Sequence, residues 1–345
     1  MSKKEKLKKT GRLLLILLLV FNTAVSAHYV YRKIEARIIA SRPEPEPAEE
    51  PVPQSVWDKY PGSPVLGDES TGSLFDPFVI RYDGEYHMYV SDRKNGSIAL
   101  STSKDGVNWS SLTQVLEKNR NSGWEDSVNR CSTAVHDGTW YLYYTGQQNG
   151  VSRIGAALST DGIHFERVGN DCILSPSSAL EGSSVMDPFV IYDEDEGLFK
   201  MWYSAGETHE PDVICYATSK DGINFERYKY NPVFSKGTAE YDRAKVAVGH
   251  VEKVSKNEYL MFYIGYENEY KASICIARSE DGIRGWERYE KNPIIVPSPD
   301  SWDQSSCYRP AVVFDSTSGK WMLWYNGRNE TSEYIGLATY SKSIY

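Results

Sequence analysis

From residue 74 onward the chain alternates short apolar runs with polar turns, and the alternation itself repeats. Phe189-Val190-Ile191-Tyr192 is followed by Met201-Trp202-Tyr203, then by Ile214-Cys215-Tyr216-Ala217, then by a turn and Phe225. Runs of four to eight β-branched and aromatic residues bounded by Gly, Asn and Asp predict strands. The column Ile98, Ile154, Ile214, Ile274, Ile335 sets a period of roughly 60 residues, a length typical of propellers and solenoids. Seven residues after its first four members stand Asp105, Asp161, Asp221 and Asp281, each followed by Gly. Asp-Gly between two strand-like runs predicts a tight turn, because Gly accepts positive φ.

Each repeat thus predicts four short strands, as in a propeller blade. Five first, second and third strands are visible, but only four Asp-Gly fourth strands. The missing piece lies at the front, where Ser63-Pro64-Val65-Leu66 matches Asn231-Pro232-Val233-Phe234 and Asn292-Pro293-Ile294-Ile295. Residues 56–66 are therefore expected to supply the outer strand of the last repeat and to remove an exposed sheet edge. The expectation is an all-β, five-bladed β-propeller over residues 56–345, closed by an N-terminal outer strand.

Ahead of it, residues 13–31 form an apolar stretch preceded by Lys3, Lys4, Lys6, Lys8, Lys9 and Arg12. About 20 apolar residues span a bilayer, and the basic end stays cytoplasmic. A cleaved signal peptide and an uncleaved anchor both fit, and both export the propeller. Pro43 to Pro53 alternates Pro and Glu, a semi-rigid extended spacer. A spacer is useful behind a fixed point, which favours the anchor. The expected organisation is a basic tail and membrane segment over 1–42, a linker over 43–55 and the propeller, with the domain outside the cytoplasm.

Charge sharpens this picture. Residues 1–42 carry ten Lys/Arg and two Asp/Glu, so the net −9 of the whole chain leaves −17 for the rest. An acidic body argues against nucleic acid as partner. Cys131, Cys172, Cys215, Cys275 and Cys307 are odd in number and lack CxxC spacing, against both a disulfide framework and a zinc site. They read as small buried hydrophobes. No cofactor or metal is expected, although a structural cation on the propeller axis is compatible with the sequence.

Candidate chemistry sits at the starts of the innermost strands. Asp76 and Asp187 each open Asp-Pro-Phe-Val-Ile, two repeats apart. The strand-start column reads Asp76, Arg130, Asp187, Ala247, Arg309, the second and fourth members being fixed only to within one or two positions. Two acids and two cations converging on one axis are either a catalytic pocket or an ion ring that plugs the channel. Alternating signs also let them pair.

The five-repeat pattern, the Asp-Pro strand starts and the aromatic second strands resemble the five-bladed propeller glycosidases, namely families 43 (arabinanases and β-xylosidases) and 32 (invertases and levanases). The resemblance covers residues 56–345. It implies Asp76 as base or nucleophile and Asp187 as the residue that stabilises the transition state. It also implies a Glu acid about one repeat later, and here the chain departs, because Lys245-Val246-Ala247-Val248-Gly249-His250 holds no Glu. Glu240, just upstream, has an acceptable spacing and is the expected acid, with Glu207 and Glu267 as alternates. His250 could act as acid, hold an ion, or satisfy a core hydrogen bond. Arg130 and Arg309 are expected to bind substrate and hint at an anionic sugar. The Ser-x-Asp-Gly phrase resembles the Asp-box of sialidases, one residue short, and is expected to be structural. Trp124-Glu125, Glu240-Tyr241-Asp242 and Trp302-Asp303 recur in three repeats, which suits loop bracing as well as sugar stacking. The expected activity is hydrolysis of a glycosidic bond. A non-catalytic glycan-binding protein and a glycan phosphorylase or transferase are the alternatives.

Overall fold

The computed structural model describes Lys33, residues 54–207, His209 and residues 211–345. The apolar stretch 13–31 and nearly all of the spacer lie outside the described residues. Among the described residues no helix is long and apolar enough to cross a membrane.

Pro53–Tyr345 forms one compact unit. It consists of five antiparallel meanders, numbered I to V by their first strands: Leu74–Tyr82, Ser127–His136, Ser184–Asp193, Lys245–Ser255 and Ser306–Asp315. These first strands form a closed series of neighbours, I touching II, II touching III, and so on to V, which touches I. A single parallel pair, Ser152 with Ser184, links meanders II and III into one sheet. Second strands carry the bulk of the core. Trp202, Trp324, Tyr89, Tyr143, Tyr203, Tyr263 and Tyr325 are all fully buried there.

Meander V is completed from the other end of the chain. Asp58–Lys59 pairs antiparallel with Glu333–Tyr340 through Asp58–Thr339 and Lys59–Ala338. Farther on, Val65 N–H donates to the Ile335 carbonyl (2.8 Å), as Val233 does to Ile214 (2.9 Å) and Ile294 to Ile274 (2.8 Å). The segment predicted to close the repeat does so, anchored by Trp57 at 2% exposure.

The Asp-Gly turns are structural. In each, the carboxylate accepts backbone N–H bonds from two and three residues on, and the Ser two residues before it donates to the same carboxylate, for example Ser219 Oγ to Asp221 at 2.8 Å. These bonds, led by the one from Asn224 N–H, hold the exposed Asp221 carboxyl well below the usual range. A second repeated device braces the loops. Glu125, Glu181, Asp242 and Asp303 are buried acids that pair with Arg167 (2.7 Å), Arg227 (2.7 Å), Arg288 (2.6 Å) and Lys59 (2.5 Å). Tyr203, Tyr263 and Tyr325 donate to the last three. The Trp/Tyr-acid phrases are therefore braces. All five cysteines are free and four of them are buried.

Candidate active site

Each inner strand breaks its ladder near its start. Pairing slips between Phe75 and Phe78, Asn129 and Ser132, Met186 and Phe189, Val248 and His250, and Tyr308 and Ala311. The unpaired residues include Asp76-Pro77, Asp187-Pro188 and Arg309-Pro310. A proline has no N–H to give to a ladder, so it sits well in a bulge, and a bulge re-aims the neighbouring side chain. Asp76 (φ 55°), Arg130 (φ 51°), Asp187 (φ 53°) and Arg309 (φ 50°) all adopt left-handed backbone. For non-glycine residues this costs on the order of 1–3 kcal/mol each, and such strain clusters at functional sites.

The neighbouring meander holds four of the five bulges. Asp76 N–H donates to Asn326 Oδ1 (2.9 Å), Arg130 N–H to Ser91 Oγ (3.0 Å), Asp187 N–H to Thr145 Oγ1 (3.1 Å) and Val248 N–H to Ser204 Oγ (3.0 Å). The acceptors come from one position of the second strands, so a single column of polar residues fixes Asp76, Arg130 and Asp187 beside it.

The four side chains meet. Arg309 Nε lies 3.4 Å from Asp76 Oδ1, and its Nη1 lies 3.1 Å from Asp187 Oδ1. Arg130 Nε approaches the same Asp187 oxygen at 3.1 Å. Ser91 Oγ donates to Asp76 Oδ2 (3.2 Å), and Arg309 Nη1 donates to the Val248 carbonyl (3.2 Å). Asp76 and Asp187 are each 2% exposed and Arg309 5%. Burial raises the Asp76 pKa. Arg309 and Arg130 oppose the rise, while Asp187 and Glu333 add to it.

The fourth member of the column, expected within two positions of Ala247, is Gly249, the residue skipped by the pairing between Val248 and His250. A Cβ on Gly249 would meet Pro310 Cδ and Cγ at 2.5 Å and the Phe262 carbonyl at 2.7 Å, so the proline ring of meander V and the second strand of meander IV leave no room for a side chain.

Asp76, Asp187, Arg130 and Arg309 are brought together; the other predicted site residues are not. Glu240 is exposed in a short 3-10 turn, Glu240–Asp242, whose buried member is the bracing Asp242. Glu207 is exposed and pairs with Lys245 (2.6 Å), and Glu267 pairs with Lys271 (2.8 Å). His250 follows Gly249 on the first strand of meander IV. Its Nδ1 accepts from Val312 N–H (3.4 Å) and its Nε2 lies 3.3 Å from Glu252. Of its three predicted alternatives, the core hydrogen bond is the one found. Arg309, expected to face substrate, instead lies under the surface between the two acids. Among the described residues no group of three or more His, Cys, Asp and Glu is placed to hold a metal ion.

A pocket of about 280 Å³ opens beside the cluster, lined by Phe75, Asp92, Arg93, Asn129, Arg130 and Gln147 among others. Arg130, 18% exposed, lies between it and Asp187, and its Nη2 donates to the His209 carbonyl (3.3 Å). Arg93 and Gln147 share one position at the ends of second strands. That column was legible beside Glu207 and Glu267, but reading it only for acids passed it over.

A closed series of meanders with buried carboxylates at their inner strand starts defines the propeller glycosidase superfamily. The sequence profile of glycosyl hydrolases family 43 matches residues 64–340, and the chain belongs to that family. It is 31% identical over 211 residues to the uncharacterized protein Rv1502 of Mycobacterium tuberculosis (strain ATCC 25618 / H37Rv), a match covering 58% of this chain and 67% of that one. It is 28% identical over 231 residues to a 1,2-beta-oligomannan phosphorylase of Thermoanaerobacter sp. (strain X514), covering 64% and 71%. A solved glycoside hydrolase superposes with a TM-score of 0.67 at 21% identity, covering 84% of this chain and 92% of that chain.

Proposed function

We propose that the protein is an exported, five-bladed propeller enzyme that cleaves a glycosidic bond in an oligo- or polysaccharide by hydrolysis. Asp76 is its base or nucleophile, and Asp187 supplies the charge that stabilises an oxocarbenium-like transition state. The observation that carries this reading is the strained column: four left-handed, non-glycine residues from four meanders aim two carboxylates and two guanidinium groups at one point. A plug of ions needs no such backbone. The apolar stretch 13–31 behind a basic N-terminus supports export with a membrane tether.

Phosphorolysis is the second reading, favoured by a specific observation. Asp76 has a raised pKa, which suits a proton carrier, and Glu240, the acid expected from spacing, takes no part in the cluster. A phosphate nucleophile needs no general base, so one proton-carrying carboxyl suffices. Two of the relatives are named as mannoside phosphorylases.

One experiment separates these readings: the full chain is incubated with a panel of oligosaccharides, with and without inorganic phosphate. Free reducing sugar without phosphate supports hydrolysis, and sugar phosphate supports the second reading. Binding with no turnover in either condition would overturn both and leave a glycan-binding protein.

A further inference from the structure

The pocket beside Arg130 holds two features that the cleavage chemistry leaves unused. The first is Asn129. It is 6% exposed and its Nδ2 donates to Gln147 Oε1 (2.9 Å). Its Oδ1 is buried and accepts no hydrogen bond from any described residue. A buried acceptor left unpaired costs about 1–3 kcal/mol, and a hydroxyl brought by a ligand would satisfy it.

The second is Arg93. Its guanidinium lies over the Phe75 ring, 4.6 Å from the centroid, and its Nη2 pairs with Glu333 at 3.0 Å. These two supports hold a side chain that is 60% exposed. Among the described residues its Nη1 and Nε have no hydrogen-bond or ion-pair partner. A guanidinium held by a ring beneath and by a carboxylate on Nη2 keeps further donors, in a preset position, for a second carboxylate.

We propose that this pocket is a subsite for one acidic sugar residue, with Asn129 Oδ1 accepting a ring hydroxyl and Arg93 pairing with the sugar carboxylate. The inference rests on the glycan reading above and names the substrate class as a uronate-bearing glycan. A volume of about 280 Å³ lies at the small end of ligand pockets, which run from roughly 300 to 1,000 Å³, and suits one ring rather than a chain. Charge argues against a dianion. Arg93 and Arg130 already share their charge with Glu333 and Asp187, and Asp92 lines the same pocket. A dianion such as phosphate would meet these carboxylates with little positive charge left to offset it.

The test uses the full-length Asp76→Asn chain, so that no turnover intervenes, with calorimetric titration of D-glucuronate, D-galacturonate, D-glucose, D-galactose and inorganic phosphate. The uronates should bind at least tenfold more tightly than their neutral counterparts. Arg93→Gln, at an exposed site, should remove that preference, and Asn129→Leu, which deletes the acceptor, should weaken acidic and neutral sugars alike. Equal affinity for neutral and acidic sugars would overturn the proposal, as would an unchanged preference in Arg93→Gln. Tight phosphate binding without uronate binding would also overturn it and give the pocket to a co-substrate. Uronate binding by a chain that turns over no glycan would leave this subsite standing and remove the catalytic reading, whereas cleavage of neutral glycans without a uronate preference would do the reverse.

Discussion

Asp76 and Asp187 stand two meanders apart and are joined through one guanidinium, that of Arg309, which reaches the first with Nε at 3.4 Å and the second with Nη1 at 3.1 Å. Neither acid can change its charge without the other's partner feeling it.

The first prediction concerns Asp76→Asn. Activity should fall at least about 10²–10⁴-fold, as on loss of a positioned proton-transfer group. Stability should move the other way. The folded-state pKa of Asp76 lies above its ordinary value of 3.8, because burial outweighs the arginines. Between 3.8 and that raised value the folded protein holds a proton that the unfolded chain has released, so this group costs stability as pH rises. Thermal unfolding should show Asp76→Asn at or above the wild type at pH 7, the difference vanishing below pH 3.8.

Arg309→Ala should act on the fold and on kcat together rather than on KM alone. The side chain is buried, and its loss leaves two carboxylates facing each other without their shared cation. Breaking a buried pair from one side costs about 3–5 kcal/mol. Chemical denaturation would check the stability, and Arg309→Lys, which keeps the charge but not the fork, should recover stability more than rate.

Gly249→Ala tests the packing of meander IV against meander V. The added methyl group has nowhere to go between Pro310 and the Phe262 carbonyl, and overpacking of this kind costs about 1–3 kcal/mol. A lowered unfolding midpoint is expected. An unchanged one would mean that the two inner strands separate easily.

Removal of residues 1–53 should leave a folded, monomeric domain, whereas removal of residues 1–67 should give an aggregating one. The longer deletion takes away Trp57, the Asp58–Lys59 strand and the Lys59–Asp303 bridge, and opens a strand edge. Light scattering of the two proteins decides this. Trp57→Ala alone should cost about 3–5 kcal/mol.

Much of this was written in the sequence. The Ile column and the Asp-Gly turns are strictly spaced, because each repeat must present the same strand to the same neighbour. The strand-start pair Asp76 and Asp187 was legible for a local reason: Asp-Pro marks a bulge. The fourth member was legible only to within two positions, since a bulge inserts a residue that no hydrophobic alternation records, and the bulge falls at Gly249. Glu240 was chosen on spacing along the chain, but that loop is held down by its neighbour Asp242, which turns Glu240 outward. Arg93 and Asn129 belong to different meanders and meet only in space.

The pairing of Asp58–Lys59 with Glu333–Tyr340 also sets an order of events during biosynthesis. The first strand of the domain to leave the ribosome has its partner beyond all four intervening meanders. Until then Trp57 lacks the Tyr340 ring on which it stacks. The ring behaves as a bracelet whose clasp fastens after its links, so any holding factor would meet an open chain, and the completed circle would mark its release.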